Sequence, residues 1–345
     1  MLEQFIRQLA AKQSLDDKQI REAIEQLTDG KIPANIKADF LTALAQKGET
    51  PNEIAAFVRA LRDKSIQPPL DAETRAREIL DVVGTGGDRL GTFNISTAAA
   101  LICAAAGVTV AKHGNRAVTS QAGSADVLEA LGIRIDLSPQ EAAHSLREHH
   151  FAFFFAPNFH PAFKHISLAR KLCAERGQRT IFNFLGPLLN PVRPSAMLVG
   201  VPRPELCESL ARVLQSVEVR RAMVVCGEIS GTGFLDEFSP LGKNTVAEFY
   251  QQRGFNVSTT APEQFPLQPA TLNDLLGGDK HRNAQIIREI FSGQERGPKR
   301  DAVLLNAAAA LFVAGKVKSL FEGWDLADEI IKRGHAKAKL AELAN

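Results

Sequence analysis

Residues 81–132 read DVVGTGGDRLGTFNISTAAALICAAAGVTVAKHGNRAVTSQAGSADVLEALG. The apolar run Ile79–Val83 that leads into them has the character of a buried strand. It ends in Gly84-Thr85-Gly86-Gly87-Asp88, a turn whose tightness calls for glycine. A second loop, Gly91-Thr92-Phe93-Asn94, enters Ile95-Ser96-Thr97 and an Ala-rich helix that runs to about Ala106. Asn94 stands at the N-cap position, so the amides and hydroxyls of Ser96 and Thr97 fall in the first turn. Free donors and the positive dipole end make such a turn an anion site. Gly107 closes the helix and Val108–Ala111 forms a second strand. Lys112-His113-Gly114-Asn115-Arg116 leaves that strand at its carboxyl end. A glycine turn, a helix N-terminus and a cationic loop thus reach one edge of a parallel sheet, the edge at which open α/β sheets bind ligands.

Working outward, residues 1–66 carry only helical patterns. Ser14 caps a helix bearing Ile20, Ile24 and Leu27, which Asp29-Gly30 stops. Thr50-Pro51-Asn52-Glu53 has the N-cap, first-turn proline and capping-box glutamate of a helix start. Packing or self-association is the plain role of this part. After a connector at Ser65–Arg77, strands alternate with helices. Ser124–Leu131 is a helix, Ile133–Leu137 a strand, and Ser138 opens a helix to about His149. Phe151–Ala156 is a strand, Pro161–Arg176 a helix and Thr180–Pro191 a shaped connector. Ala196–Val201 and Ala222–Cys226 are strands around a helix at Pro204–Val217. Gly227–Gly233 is a glycine-rich loop leading to Asp236-Glu237. Val246–Tyr250 and Phe255–Thr259 pair antiparallel, and the remainder is helical, with one helix from Trp324 to about Leu343. The fold class is α/β: a mostly parallel central sheet flanked by helices, with a smaller all-helical N-terminal domain. The expected division is residues 1–66, joined by helices from about 161–190, and an α/β domain over 78–345.

The chain has 345 residues, 45% hydrophobic and 23% charged, the mix of an ordinary globular protein. Its 41 Lys and Arg nearly balance 39 Asp and Glu, so no global cationic field points to nucleic acid. Four separated cysteines show no metal-ligand spacing and suit a reduced compartment. The charged N-terminus is no secretory signal, and no apolar run has membrane-span length. A cytoplasmic location without a membrane or nucleic-acid partner is expected.

Each candidate residue has a bland reading beside its chemical one. The glycine turn is also what many strand-to-helix junctions carry. It is neither a Walker loop nor a good dinucleotide fingerprint. Lys112, Asn115 and Arg116 are solvated loop groups or a cationic edge facing phosphate. Residues 119–124 are small enough for backbone amides to approach an anion. Asp236-Glu237 is a solvated turn, or a hard-oxygen pair for Mg²⁺ opposite a phosphate. Arg170 is an exposed helix arginine or a fork for a substrate carboxylate. His113, His160 and His165 lack an acidic partner at a readable spacing, so no catalytic base is assigned.

GTGGD, TFNIST, KHGNRAVTSQAGSADVLEALG, HPAFKH, RTIFNFLGPLLNP and LDEFS occur in one order over the whole chain. Together they resemble the anthranilate phosphoribosyltransferases, of nucleoside phosphorylase/phosphoribosyltransferase-like fold. The resemblance implies transfer of the ribose of phosphoribosyl pyrophosphate to the amine of anthranilate, in tryptophan biosynthesis, by a homodimer. It places the donor against Gly84, Gly87, Asp88, Thr92, Asn94, Ile95, Ser96, Thr97, Lys112, His113, Gly114, Asn115, Arg116, Ala117, Val118, Thr119, Ser120 and Ser124. It places anthranilate along Gly84, Asn115 and Arg170, and two Mg²⁺ ions at Ser96, Asp236 and Glu237. The chain departs from the family pattern at Gln121-Ala122, at Phe159, and in added residues near 173–178 and 229–233. Two other readings stay open. A pyrimidine nucleoside phosphorylase has a related fold but no use for Asp236-Glu237. A nucleic-acid-binding relative would show degraded loops and a basic face.

Overall fold

A computed structural model describes residues 2–117, 121–250 and 253–344. Sixteen helices and eight strands alternate among the described residues. The N-terminal helices are α1 (Leu2–Ala10), α2 (Asp17–Thr28), α3 (Ala34–Lys47) and α4 (Pro51–Asp63), with a short α5 (Ala72–Ala76) in the connector. Then come β1 (Ile79–Gly84), α6 (Ile95–Ala105), β2 (Thr109–Gly114), α7 (Ser124–Leu131), α8 (Pro139–His149) and β3 (Phe151–Phe155). The middle of the chain forms α9 (Ala156–Phe159), α10 (Ser167–Glu175), α11 (Phe182–Leu185), β4 (Ala196–Gly200) and α12 (Glu205–Ser216). A hairpin-rich stretch follows, with β5 (Arg221–Ile229), β6 (Gly233–Leu235), β7 (Asn244–Tyr250) and β8 (Arg253–Thr260). The chain closes with α13 (Lys280–Phe291), α14 (Pro298–Val313), α15 (Leu320–Lys332) and α16 (His335–Leu343).

The sheet runs β3-β2-β1-β4-β5-β7-β8, with β6 paired to β5. Strands β1 to β5 are parallel, and β6, β7 and β8 pair antiparallel. The strand order reverses between β1 and β4, which opens a crevice at their carboxyl ends. Alternation along each strand sends Leu80, Val82, Leu198, Met223 and Val225 into one core with α6, α14 and α15. The opposite residues Met197, Val199, Ala222 and Val224 share a second core with α1–α4, α12 and residues of α10 and α11. The N-terminal helices therefore lie against one face of the sheet.

Several sequence expectations change in the structure. Ser14 does not cap α2; Asp16 does, in a reciprocal box with Gln19, while Ser14 accepts from Lys47 Nζ. Residues 133–137 form no strand. Ile133 and Ile135 alternate inward beneath the helices, so packing satisfies the pattern without a ladder. Lys112, His113 and Gly114 lie inside β2 rather than beyond it, since β3 continues to pair with them. The Gly227–Gly233 stretch is strand and hairpin, with Ser230 and Gly231 at positive φ in the turn. The helix expected from Trp324 to Leu343 breaks at Gly334, whose φ is 76°.

The capping box at α4 is buried as well as local. Glu53 accepts from the amides of Leu15 and Thr50 and pairs with Lys47 at 2.5 Å, with both side chains nearly inaccessible. Burial alone would raise the Glu53 pKa, but Lys47 and these amides hold it below the ordinary carboxylate value. A depressed folded-state pKa gives stability that is complete above the unfolded-state value, about 4.3, and is lost as pH falls through the folded one. Glu53→Gln is expected to cost roughly 3 kcal/mol at neutral pH. Urea titrations between pH 3 and 7 should also show a shallower acid limb in the variant; an identical limb would refute the assignment.

Candidate active site

Residues 236–239 lie across the ends of three adjacent parallel strands. Gly84 of β1 is in register with Gly200 of β4. A Cβ on Gly200 would stand 1.6 Å from the Asp236 carbonyl oxygen, and one on Gly84 would stand 2.8 Å from the Asp236 carboxylate. Gly227 of β5 meets Ser239 in the same way, at 2.3 Å from its Cβ. These three glycines make a ledge without side chains. The tract above it is pinned by Asn306 of α14, which exchanges hydrogen bonds with the Phe238 amide and carbonyl, both at 2.9 Å. Asn244 does the same at Ser239. Neither Gly200 nor Asn306 is prominent in the sequence, because each acts on a backbone distant along the chain.

The ledge gathers acidic groups that repel one another. Asp236 accepts from the Gly86 amide at 2.6 Å, and Glu237 from the Ser96 amide at 3.2 Å. Burial, then the nearby charges of Asp88 and Glu237, push the Asp236 pKa well up. Burial raises Glu237 to about 7, against the pull of Lys112. Lys112 donates to the Val82 carbonyl at 2.6 Å, and burial lowers its pKa although Asp81 and Glu237 oppose that. Among the described residues no three His, Cys, Asp or Glu side chains form a ready-made cage. The set nevertheless suits a hard cation, since one Asp88 oxygen is buried without a hydrogen-bond partner beside mutually repelling carboxylates. Mg²⁺ commonly takes one or two carboxylates and completes its shell with water and phosphate oxygens.

The other predicted residues surround this cluster. Gly86 and Gly87 have φ of 70° and 103° and open space where a Cβ would stand, so their need is conformational. Thr92 bridges Leu276, Ile95 is buried, and Asn94 makes no capping bond with its side chain. The hydroxyls of Thr85 and Thr97 are buried and unpartnered. Ser124 presses on Gly114, where a Cβ would be 2.3 Å from its hydroxyl. Asp126 accepts from the Ala117 and Gly123 amides and so shapes the loop that begins at Asn115. The exposed Arg116 pairs with Asp126 and Glu129, which occupies the guanidinium expected to face phosphate. Val118, Thr119 and Ser120 lie outside the described residues.

A run of rings connects the cluster to Arg170. His113 meets His160 edge-on at 5.3 Å, His160 stacks on Phe163 at 5.0 Å, and Phe163 meets Phe182 at 5.8 Å. The Arg170 guanidinium lies 5.5 Å from the Phe182 ring centre. Burial lowers His113 to about 3 and His160 to about 4, so both imidazoles are neutral, and each has a buried, unpartnered Nε2. Desolvation also lowers the Arg170 pKa, although its side chain still reaches solvent. Phe163 and Phe182 were not singled out in the sequence; an isolated phenylalanine reads as core. Phe159, by contrast, is core, packed on Phe154 at 5.1 Å. Unpartnered buried polar atoms are uncommon in native proteins. Here those of Thr85, Asp88, Thr97, His113 and His160 collect in the glycine turn, the start of α6 and the ring wall that adjoins them.

Comparison with known proteins covers nearly the whole chain. Residues 76–337 match the α/β domain of a glycosyl transferase family, and residues 3–65 match the helical bundle domain of the same family. An anthranilate phosphoribosyltransferase of Petrotoga mobilis is 45% identical over 99% of this chain and 96% of its own. One from Thermomicrobium roseum is 46% identical at the same coverage. The crystal structure of the Thermus thermophilus anthranilate phosphoribosyltransferase superposes with a TM-score of 0.89 at 40% identity, covering 99% of this chain and 98% of that one. The Saccharomyces cerevisiae enzyme in complex with PRPP and Mg has a TM-score of 0.86 at 28% identity, covering 99% and 96%. The chain belongs to the anthranilate phosphoribosyltransferases, the glycosyltransferases that join the phosphoribosyl group of phosphoribosyl pyrophosphate to the amine of anthranilate in tryptophan biosynthesis.

Proposed function

We propose that the ledge and the loops around it are the donor site, and that the ring wall ending at Arg170 is the acceptor path. The clustering of unpartnered polar atoms in these loops and rings carries the reading. Gly84, Gly87, Asp88, Thr92 and Asn94–Thr97 contact phosphoribosyl pyrophosphate from one side. Lys112–Ala117, with Val118, Thr119, Ser120 and Ser124, contact it from the other. Arg116 contributes main chain there, since its guanidinium is held by Asp126 and Glu129. Ser96, Asp236 and Glu237 would hold Mg²⁺, in our reading two ions. Bound there, the metal would supply charge neutralisation for the pyrophosphate leaving group.

Departure of pyrophosphate leaves positive charge on the ribose and negative charge on the leaving group. Amides at the start of α6 and in the glycine turn, other than those of Ser96 and Gly86 that Glu237 and Asp236 take, stabilise the second. The acceptor is an aryl amine, uncharged and nucleophilic near neutral pH, so it needs orientation more than a strong base. Arg170 takes its carboxylate, with Gly84 and Asn115 along the path. The neutral imidazoles of His113 and His160 line the path without a competing cation. Closure of the helical part, residues 1–66 with helices from about 161–190, over the α/β part excludes water from the activated sugar. We further propose a homodimer working in the cytoplasm. Four buried free cysteines suit a reducing compartment, and among the described residues no helix is long and apolar enough to cross a membrane.

Loss of anthranilate fluorescence that requires both phosphoribosyl pyrophosphate and Mg²⁺ is the direct test of turnover; light scattering tests the dimer. Arg170→Ala should raise the KM for anthranilate by ten- to a hundredfold, as roughly expected for a lost charged hydrogen bond. The donor KM should stay within about twofold on the same grounds; equal changes in both would remove Arg170 from the acceptor path. Replacing Asp236→Asn together with Glu237→Gln should abolish the Mg²⁺ response. A metal titration of turnover with an unmoved midpoint would relocate the metal.

A further inference from the structure

We infer that Asn283, near the start of α13, is a positioning residue for the donor loop: it takes the capping oxygen of Asn94 away from the first turn of α6 and so keeps that oxygen off the turn assigned to a donor phosphate. The inference rests on the donor site proposed above. An asparagine at an N-cap ordinarily turns its side-chain oxygen onto the amides two and three residues later, here those of Ser96 and Thr97. Asn94 makes no such bond. Its Oδ1 accepts instead from Asn283 Nδ2 at 2.9 Å.

The direction of this bond is forced from outside. The Gly278 amide can only donate, and it donates to Asn283 Oδ1 at 2.8 Å. The Asn283 nitrogen must then face Asn94, which presents its oxygen. That leaves the Asn94 nitrogen toward the Ala122 carbonyl at 3.5 Å. Asn283 is 2% exposed, so water cannot substitute on its side. The surrounding chain holds the pair in place. Phe93 donates to the Leu275 carbonyl, Gly277 donates to Gly91, and Thr92 bridges Leu276. A Cβ on Gly277 would sit 2.5 Å from Asn283 Oδ1 and 2.8 Å from Phe93 Cα, so only glycine lets residues 275–278 lie this close to the loop. With its cap diverted, the α6 turn carries the unpartnered Thr97 hydroxyl, and the Ser96 amide is left to Glu237.

The test is calorimetric titration of phosphoribosyl pyrophosphate with Mg²⁺ into the full chain. The proteins are the parent, Asn283→Ala, Asn283→Asp, Asn94→Ala and the two double variants. Asn283→Asp keeps an acceptor for Gly278 but cannot donate to Asn94. Donor binding should weaken about five- to tenfold in both single Asn283 variants, the size of one hydrogen bond's net effect. The KM for anthranilate at saturating donor should not move. In the Asn94→Ala background the same changes should alter donor binding by less than about twofold, because the partner through which they act is gone. A parent protein that fails to bind the donor refutes the donor site itself. Parent binding with Asn283→Asp unimpaired overturns the role of Asn283. So does a loss that persists undiminished in the Asn94→Ala background, or one that merely follows the melting temperature across the variants.

Discussion

The site depends on a backbone-to-backbone contact that no side chain can share. Residues 236–239 cross the carboxyl ends of β1, β4 and β5, with backbone at distances that exclude a Cβ at Gly200 and Gly227 and with the Asp236 carboxylate close over Gly84. That contact sets the height of Asp236 and Glu237 above the sheet, and hence their reach to the glycine turn and to the start of α6. Asn306 and Asn244 secure the tract from behind with paired amide bonds. A buried peptide segment with its polar groups satisfied has little freedom to drift. The acidic pair is thereby held where its members repel each other, a state that a cation can relieve.

Beneath the ledge the charges are balanced across elements. Asp81 is fully buried; burial raises it to about 6 despite Lys112 and hydrogen bonds from Asn190 and the His113 amide. Asn190 also donates to Ala111, so the connector after α11 grips β1 and β2 together. Arg62, at the end of α4, donates to the Leu188 carbonyl and feels the charge of Asp81, while burial lowers it to about 10. This polar seam joins the N-terminal helices to the sheet just where His113 begins the ring wall. Buried charges leave few satisfactory arrangements, which makes such a seam a geometric reference as much as a source of stability. The same logic orients residues 91–94 from the opposite side, where residues 275–278 and α13 hold them.

Much of this architecture was legible in the chain itself. The strand at Ile79, the glycine turn, the helix at Ile95 and the capping boxes at Thr50 and Ser138 rest on local periodicity and local hydrogen bonding. Six motifs in one order carried the family and its reaction. Errors fell where a local pattern has two physical outcomes. Ile133–Leu137 alternates like a strand yet packs beneath helices, and Gly227–Gly233 is rich in glycine yet mostly strand. The Asn94 cap position was right, but its side chain bonds elsewhere.

The sequence alone therefore determined the class of fold, the alternation of elements and the residue types brought to one sheet edge. These follow from hydrophobic period, turn chemistry and spacing, all properties of neighbouring residues. The tertiary structure decided which glycines yield to a crossing backbone and that Arg116 faces carboxylates. It also decided that His113, His160, Phe163 and Phe182 line up toward Arg170, and that Asn283 rather than the helix receives the Asn94 side chain. Each of those contacts depends on where a second, distant segment comes to rest, and hydrogen bonds and close packing are set by such distances rather than by order along the chain.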